Sequence, residues 1–146
     1  MNYNIIPSSR KVRRSFAITA GLREGYTGGA LVHDLSEAVA VVHQWMRVRA
    51  IVGLPFLTGS FTQEVLVYTW KGATEGNDMP EPAAIFHGKV YNSDLPDERV
   101  IQMLTELASH LGRTLRQTRV YVTYHDWAWV MLAKSEFSPR EAKSVS

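Results

Sequence analysis

The sequence contains no cysteine, and this absence excludes several kinds of chemistry. Without a thiol among its 146 residues, the chain cannot form disulfides, thiolate zinc sites, iron–sulfur clusters or a cysteine nucleophile. No apolar run approaches the roughly 18 residues of a membrane-spanning helix. The first residues, 1–4, have neither the basic nor the apolar segment of a signal peptide. We therefore predict a cytoplasmic protein with no membrane partner.

The chain also has little excess of one charge over the other, so its net charge does not indicate a strongly acidic or basic partner. Sixteen basic and fourteen acidic residues give a net charge of +2. Residues 1–23 carry five basic side chains and no acid. Such a basic arm can contact the phosphates of a nucleic acid, but it is as often a solvated segment that precedes the first strand. Nucleic acid is therefore not the favoured partner. We divide the chain into a basic arm (1–14), one domain (15–133) and a polar tail (134–146).

The first half of the domain has the pattern of a strand, a helix and a second strand. Residues 15–22 alternate between apolar and polar side chains, which is typical of a half-buried strand. After a glycine-rich segment, Asp34 and Glu37 have the spacing of a capping box and predict a helix that ends before Gly53. Residues 56–70 are rich in β-branched and aromatic side chains and predict the second strand.

The second half repeats the order strand, helix, strand. A polar loop at 71–82 precedes a predicted strand at 83–91, and a helix is predicted from Pro96 to a stop at Gly112. Residues 119–132 are strongly β-forming. We interpret them as one strand bent at Asp126, because His-Asp is a poor sequence for a two-residue hairpin turn. The alternative, a hairpin turning at His125 and Asp126, would give five strands.

The resulting order, β-α-β-β-α-β, predicts an α+β fold. Long crossover helices join the first strand to the second and the third to the fourth, while a loop joins the second to the third. This is the plan of a two-layer ferredoxin-like sandwich, with an antiparallel four-stranded sheet and both helices on one face.

The sheet face without helices is predicted to be unusually apolar. Large side chains fall on both faces of the second and fourth strands, including Leu66, Tyr68 and Trp70 opposite Val65 and Val67. A soluble monomer rarely exposes so large an apolar patch. We therefore predict a homo-oligomer, a dimer or an assembly of dimers, that covers this face. The alternative is that the N-terminal arm or the 71–82 loop covers it.

Two segments and one strand residue supply the candidate site. The glycine-rich segment 25–29 could hold an anion with its backbone amides, although it lacks a phosphate-loop ending and a connecting loop is its simpler interpretation. The group 124–127 could contain a histidine base or a turn-stabilising pair. A strand histidine follows beside Gly88. The predicted ligand-binding residues are Arg23, Tyr26, Gly28, His87, Tyr124, His125 and Trp127.

The pattern favours binding over catalysis. Neither a paired acid and base nor the usual spacing of metal ligands is present, so we predict no catalytic residue, no metal and no cofactor. The leading interpretation is an oligomeric, non-enzymatic protein that binds or sequesters an anionic or nucleotide-like small molecule. One alternative is a cofactor-independent enzyme of the dimeric α/β-barrel type with His125 or His87 as general base. Another is a structural component of a larger phage or plasmid assembly.

Overall fold

Two helices pack on an antiparallel sheet. The computed structural model describes residues 1–7, 9, 12–25, 31–76, 78–92 and 94–134. Its elements are β1 (Ser15–Gly21), α1 (Leu35–Ile51), β2 (Gly59–Leu66), β3 (Glu81–Lys89), α2 (Asp97–Leu115), β4 (Arg119–Tyr124) and β5 (Trp127–Leu132). The strand order is β2-β3-β1-β4-β5, and every neighbouring pair is antiparallel. The ferredoxin-like arrangement is confirmed, with β5 added at one edge.

The core lies between the two helices and one face of the sheet. Phe16, Ile18 and Ala20 alternate with partly exposed residues along β1 and are buried, as period-two alternation predicts. Helix α2 adds a continuous apolar stripe. Its buried residues are Val100, Met103, Leu104, Leu107, Ala108, Leu111, Gly112 and Leu115.

Helix α2 continues past its predicted stop at Gly112. It ends instead where Arg116 adopts a left-handed conformation, with φ of 52°. A Cβ on Gly112 would lie 3.1 Å from a methyl group of Val120, so this glycine allows the helix to approach β4 closely. Gly112 therefore allows close packing of α2 on β4, whereas the sequence pattern predicted that it ends the helix.

The prediction of a single bent strand after residue 119 was wrong. Tyr124 pairs directly with Trp127, so His125 and Asp126 form a two-residue turn, with His125 at φ 53°. The backbone N–H of His125 donates to Ser15 O at 2.8 Å, which anchors the turn to β1. The hairpin also directs Trp129 to the core side, opposite Val122. The sheet therefore has five strands.

The face away from the helices is less apolar than the sequence indicated. At its centre lie Ala17 and Thr19 of β1, with Thr123 beside them on β4. Val120, Val122 and Tyr124 of β4 face the core, whereas Tyr121 lies on this outer face. Apolar side chains such as Val130 remain exposed nearer the β5 edge. The homo-oligomer stays a prediction. Among the described residues, no helix is long and apolar enough to cross a membrane.

Candidate functional site

A cavity of about 380 Å³ opens at the end of the sheet where β1 and β2 finish and β3 and β4 begin. Leu66, the last residue of β2, pairs with Glu81, the first residue of β3. The chain then leaves the sheet and brings Tyr68 and Trp70 to the same cavity. Residues from four strands or their continuations therefore meet at one place.

One wall of the cavity is aromatic. The rings of Tyr68 and Trp70 lie nearly parallel, with centroids 6.1 Å apart and an interplanar angle of 17°. Tyr121 of β4 adds a third, partly exposed ring to the lining. The sequence pattern predicted a second strand over 56–70, with Tyr68 and Trp70 on one face with Leu66. The strand ends at Leu66 instead, and Val67 and Thr69, which alternate with these residues, line the same cavity. Flat aromatic surfaces of this kind are suited to stacking against a nucleobase.

The acidic group of the cavity is Glu81. Its side chain is half-buried, and burial raises the pKa of the carboxyl above its ordinary value, while the nearby charge of Arg23 acts in the opposite direction. Arg119, at the start of β4, is a basic residue that lines the cavity. A carboxylate with a perturbed pKa in a cleft is typical of functional sites. Glu81 is therefore an acidic group placed where a cationic part of a ligand could meet it.

Sequence reasoning missed Glu81 because the residue was assigned to a polar loop. The strand β3 begins two residues earlier than the apolar alternation indicated, and it includes Pro82. Proline at the start of an edge-paired strand is permitted. An acidic residue between Pro80 and Pro82 was the available signal, but alone it does not distinguish a loop from a strand end.

Arg23 follows β1 and is not among the residues that line the cavity, although its charge opposes the effect of burial on the pKa of Glu81. Beyond β1 the chain forms an antiparallel bridge between Arg23 and Val32. The backbone of His33 donates to Leu22 O at 2.6 Å, and its ring contacts Glu24 at 2.7 Å. These contacts join residues 22–24 to residues 32 and 33, next to Gly25, which lines the cavity. The predicted site residues Tyr26 and Gly28 lie outside the described residues.

The other four predicted site residues lie towards the opposite end of the sheet. His87 is in register with Ala17, and Tyr124 is in register with Phe16, whereas the cavity lies at Gly21. Four residues along a strand separate them by roughly 13 Å. Trp127 stacks on Tyr124 at 5.9 Å. One chain therefore does not bring these residues together with Arg23, and their role in ligand binding stays a prediction.

Tyr124 is a buried anchor for the N-terminal arm. Its hydroxyl donates to Asp97 Oδ1 at 2.6 Å, and the guanidinium of Arg14 donates to the same oxygen at 3.0 Å. Arg14 also donates to Leu95 O at 2.9 Å. Burial and the hydrogen bond to Asp97 raise the pKa of Tyr124 to about 12. Both bonds lower the pKa of Asp97. One arginine of the basic arm thus fastens the start of α2 to β4.

The raised pKa of Tyr124 predicts a loss of stability in alkali. The unfolded tyrosine ionises near 10 and the folded one near 12, so stability falls as the pH rises between these values. We expect Tyr124→Phe to be about 1 kcal/mol less stable than the native protein at pH 8. The difference in stability between the two proteins should disappear at pH 11. At this pH the unfolded form of the unsubstituted protein has lost the Tyr124 proton, whereas phenylalanine has no proton to lose. Urea unfolding at both pH values measures it; an unchanged difference would contradict the assignment.

The histidine of the turn lacks the geometry of an oriented base. His125 Nε2 lies 3.8 Å from Asp126 Oδ2, and the Asp126 side chain is 91% exposed. A solvated carboxylate at this distance does not fix the imidazole. Within the described part of the chain, no three histidine, aspartate or glutamate side chains cluster so as to hold a metal ion.

The comparisons with known proteins identify two structures with this fold. No protein-family model and no curated protein matches the chain. A phage SAM lyase in complex with S-methyl-5′-thioadenosine has a TM-score of 0.67 and 17% identity, covering 92% of this chain and 100% of its own. A phage SAM lyase in the apo state has a TM-score of 0.58 and 16% identity, covering 94% and 99%.

This likeness overturns the leading functional prediction. Both neighbours are enzymes, which contradicts the expectation of a non-enzymatic binding protein and supports the alternative of an enzyme. One of the two neighbours binds a nucleoside ligand, S-methyl-5′-thioadenosine. At these identities, what the comparisons establish for the present chain is its α+β fold, which it shares with these two lyases.

Proposed function

We propose that this protein is a lyase that cleaves S-adenosylmethionine and releases S-methyl-5′-thioadenosine. The observation that carries the proposal is the cavity at the end of the sheet, where the carboxyl of Glu81 faces the same space as the aromatic rings. Support comes from the two SAM lyases that share the fold over almost the whole chain.

The two sides of the cavity suit the two halves of this substrate. Adenine is a flat ring that stacks on aromatic side chains, and Trp70 with Tyr68 offers such a surface. The methionine half carries a sulfonium and an ammonium group, and Glu81 offers the opposite charge. Arg119 lines the same cavity and can pair with the substrate carboxylate.

The reaction breaks the bond between the sulfonium sulfur and Cγ of the methionine part. Both electrons go to sulfur, and S-methyl-5′-thioadenosine leaves as a neutral thioether. The remaining four-carbon fragment can replace the broken bond at Cγ in one of two ways. Its own carboxylate oxygen bonds to Cγ and closes a lactone, or a base removes a proton from Cβ and an alkene forms.

The change in charge during this reaction favours a contact of Glu81 with the ammonium group of the substrate over a contact with its sulfonium. The sulfonium loses its positive charge in the transition state, so a carboxylate paired with sulfur would stabilise the substrate more than the transition state. The ammonium charge is unchanged throughout. A carboxylate paired there orients the methionine half without raising the barrier. Glu81 therefore serves substrate orientation in the proposed mechanism.

The experiment is incubation of the purified protein with S-adenosylmethionine that carries two deuterium atoms on the methionine Cβ. Mass spectrometry should show S-methyl-5′-thioadenosine and the four-carbon fragment in equal amounts. Lactone closure retains both deuterium atoms in the fragment, whereas elimination loses one. Heat-denatured protein measures spontaneous decomposition, and S-adenosylhomocysteine, which lacks the sulfonium, should remain intact. No S-methyl-5′-thioadenosine above the denatured control would refute the proposal.

A further inference from the structure

Gln117 is a buried polar residue that reaches the cavity at the end of the sheet. It lies between α2 and β4, it is 6% exposed, and it lines the cavity together with Glu81 and Gly21. Its side-chain Nε2 donates to Leu115 O at 3.0 Å and to Arg23 O at 2.7 Å. Both donors of the carboxamide are therefore used by backbone carbonyl groups.

These two bonds determine where the amide oxygen of Gln117 points. Carbonyl groups only accept hydrogen bonds, so the NH₂ group faces them and Oε1 faces the other way. Oε1 lies against Gly21, where a Cβ would be only 2.5 Å from it. Glycine at position 21 therefore leaves room for the amide oxygen at the cavity, whereas a larger residue would displace it.

The carboxylate of Glu81 borders the same position. A Cβ on Gly21 would also lie 3.4 Å from Glu81 Oε1, so the two oxygens are within about 6 Å of each other. Neither oxygen accepts a hydrogen bond from any residue that the structure describes. Two neighbouring acceptors repel each other, and acceptors in a buried position are normally paired. A donor from a ligand would satisfy both.

The donor that best fits these two oxygens is a primary ammonium group. It carries a positive charge, has three N–H donors and has no acceptor. Its hydrogen bonds to oxygen are roughly 2.8 Å long, so one nitrogen can join two oxygens that are up to roughly 5.6 Å apart. A ribose hydroxyl has a single donor, and the amino group of adenine has no charge to offset that of the carboxylate.

We propose that Gln117 and Glu81 together bind the ammonium group of the substrate, with Gly21 leaving the space in which the amide oxygen lies. This inference rests on the proposed function for the identity of the substrate and extends it. It assigns a second residue to the ammonium group, and it gives a reason for the glycine at the end of β1. Gln117 is a binding residue in this role and takes no part in bond breaking.

The test compares two ligands that differ only in the ammonium group: S-adenosylhomocysteine and its deaminated analogue, in which a hydrogen atom replaces that group. By isothermal titration calorimetry, the native protein should bind S-adenosylhomocysteine about tenfold or more tightly than the analogue. Gly21→Ala, whose methyl displaces the amide oxygen, should reduce this ratio by about threefold or more. Gln117→Met, which keeps the side-chain length and loses the oxygen, should do the same. Gly112→Ala, the same glycine substitution outside the cavity lining, should keep the native ratio.

S-methyl-5′-thioadenosine has no ammonium group and shows whether a variant keeps its cavity. Its affinity should change little in Gly21→Ala and in Gln117→Met. An equal loss of affinity for this ligand would overturn the inference, because the two oxygens would then bind the ribose or the adenine. Equal affinity of the native protein for the two test ligands, or an unchanged ratio in the variants, would overturn it as well.

Two features keep the result unambiguous. Should Gln117→Met fail to fold because Leu115 O and Arg23 O lose their donor, Gly21→Ala and the ligand pair on the native protein still decide. The binding measurements need no turnover. A native preference for the ligand with the ammonium group, without cleavage of S-adenosylmethionine, would therefore refute the proposed function alone.

Discussion

Replacing Glu81 with glutamine is expected to lower kcat/KM for S-adenosylmethionine about 100-fold, since a charge-assisted hydrogen bond to the substrate is lost. Glutamine has nearly the same size, so the cavity and the pairing of Leu66 with residue 81 remain. Most of the loss should appear in KM if Glu81 binds the ammonium group, because this contact is equal in substrate and transition state. Initial rates of S-methyl-5′-thioadenosine formation over a range of substrate concentrations give both constants.

The pH dependence separates this role from a general loss of structure. Burial raises the pKa of Glu81, and the carboxyl must be ionised to bind a cation. Native activity should therefore fall in acid at a pH above the ordinary carboxyl range, and Glu81→Gln should lack this fall. Glu98→Gln, an exposed carboxyl in the first turn of α2, is the matched control and should keep native rates and the native profile. A Glu81→Gln rate within threefold of native would refute the assignment.

Much of the fold could be predicted from the sequence because it depends on local patterns. Alternation defined β1, and the spacing of Asp34 and Glu37 predicted the start of α1, where the Asp34 backbone donates to Glu37 at 2.8 Å. The hairpin at His125 could not be predicted in the same way. Its turn is held by Ser15, which is 110 residues away, and the buried partners of β4 and β5 determine which residues turn.

The candidate site was harder to predict, because its parts come together only through strand pairing. Arg23 was identified from its place beside a glycine-rich segment; it is not among the residues that line the cavity, and its role in ligand binding stays a prediction. Glu81 carries no local signal of function, because it shares the cavity with residues of β4 and of the segment after β2 only once the strands have paired. Conversely, Tyr124 attracted attention as part of a polar and aromatic group, and the structure places its hydroxyl in the bonds that hold the arm.

The second large effect is expected at Gly88, which faces Gly59 where β3 pairs with β2. A Cβ at position 88 would lie 2.7 Å from Thr58 O, 3.0 Å from Gly59 Cα and 3.1 Å from the ring of Phe16. The first two are backbone atoms, which a rotamer change cannot move. Gly88→Ala must therefore push β2 away from β3 or displace the buried Phe16. We expect a loss of about 3 kcal/mol or more in the free energy of unfolding.

Urea unfolding of Gly88→Ala and Gly112→Ala measures this effect against a matched change. Alanine at 112 meets one side-chain methyl at 3.1 Å, and the greater helix propensity of alanine, worth about 1 kcal/mol, offsets the crowding. Gly112→Ala should therefore lie within about 1 kcal/mol of the native protein. If Gly88→Ala is equally mild, β2 can move away from β3 at little cost. Because Gly88 meets Gly59 at the end of β2 away from Leu66 and Glu81, the loss should appear in stability and not in the geometry of the cavity.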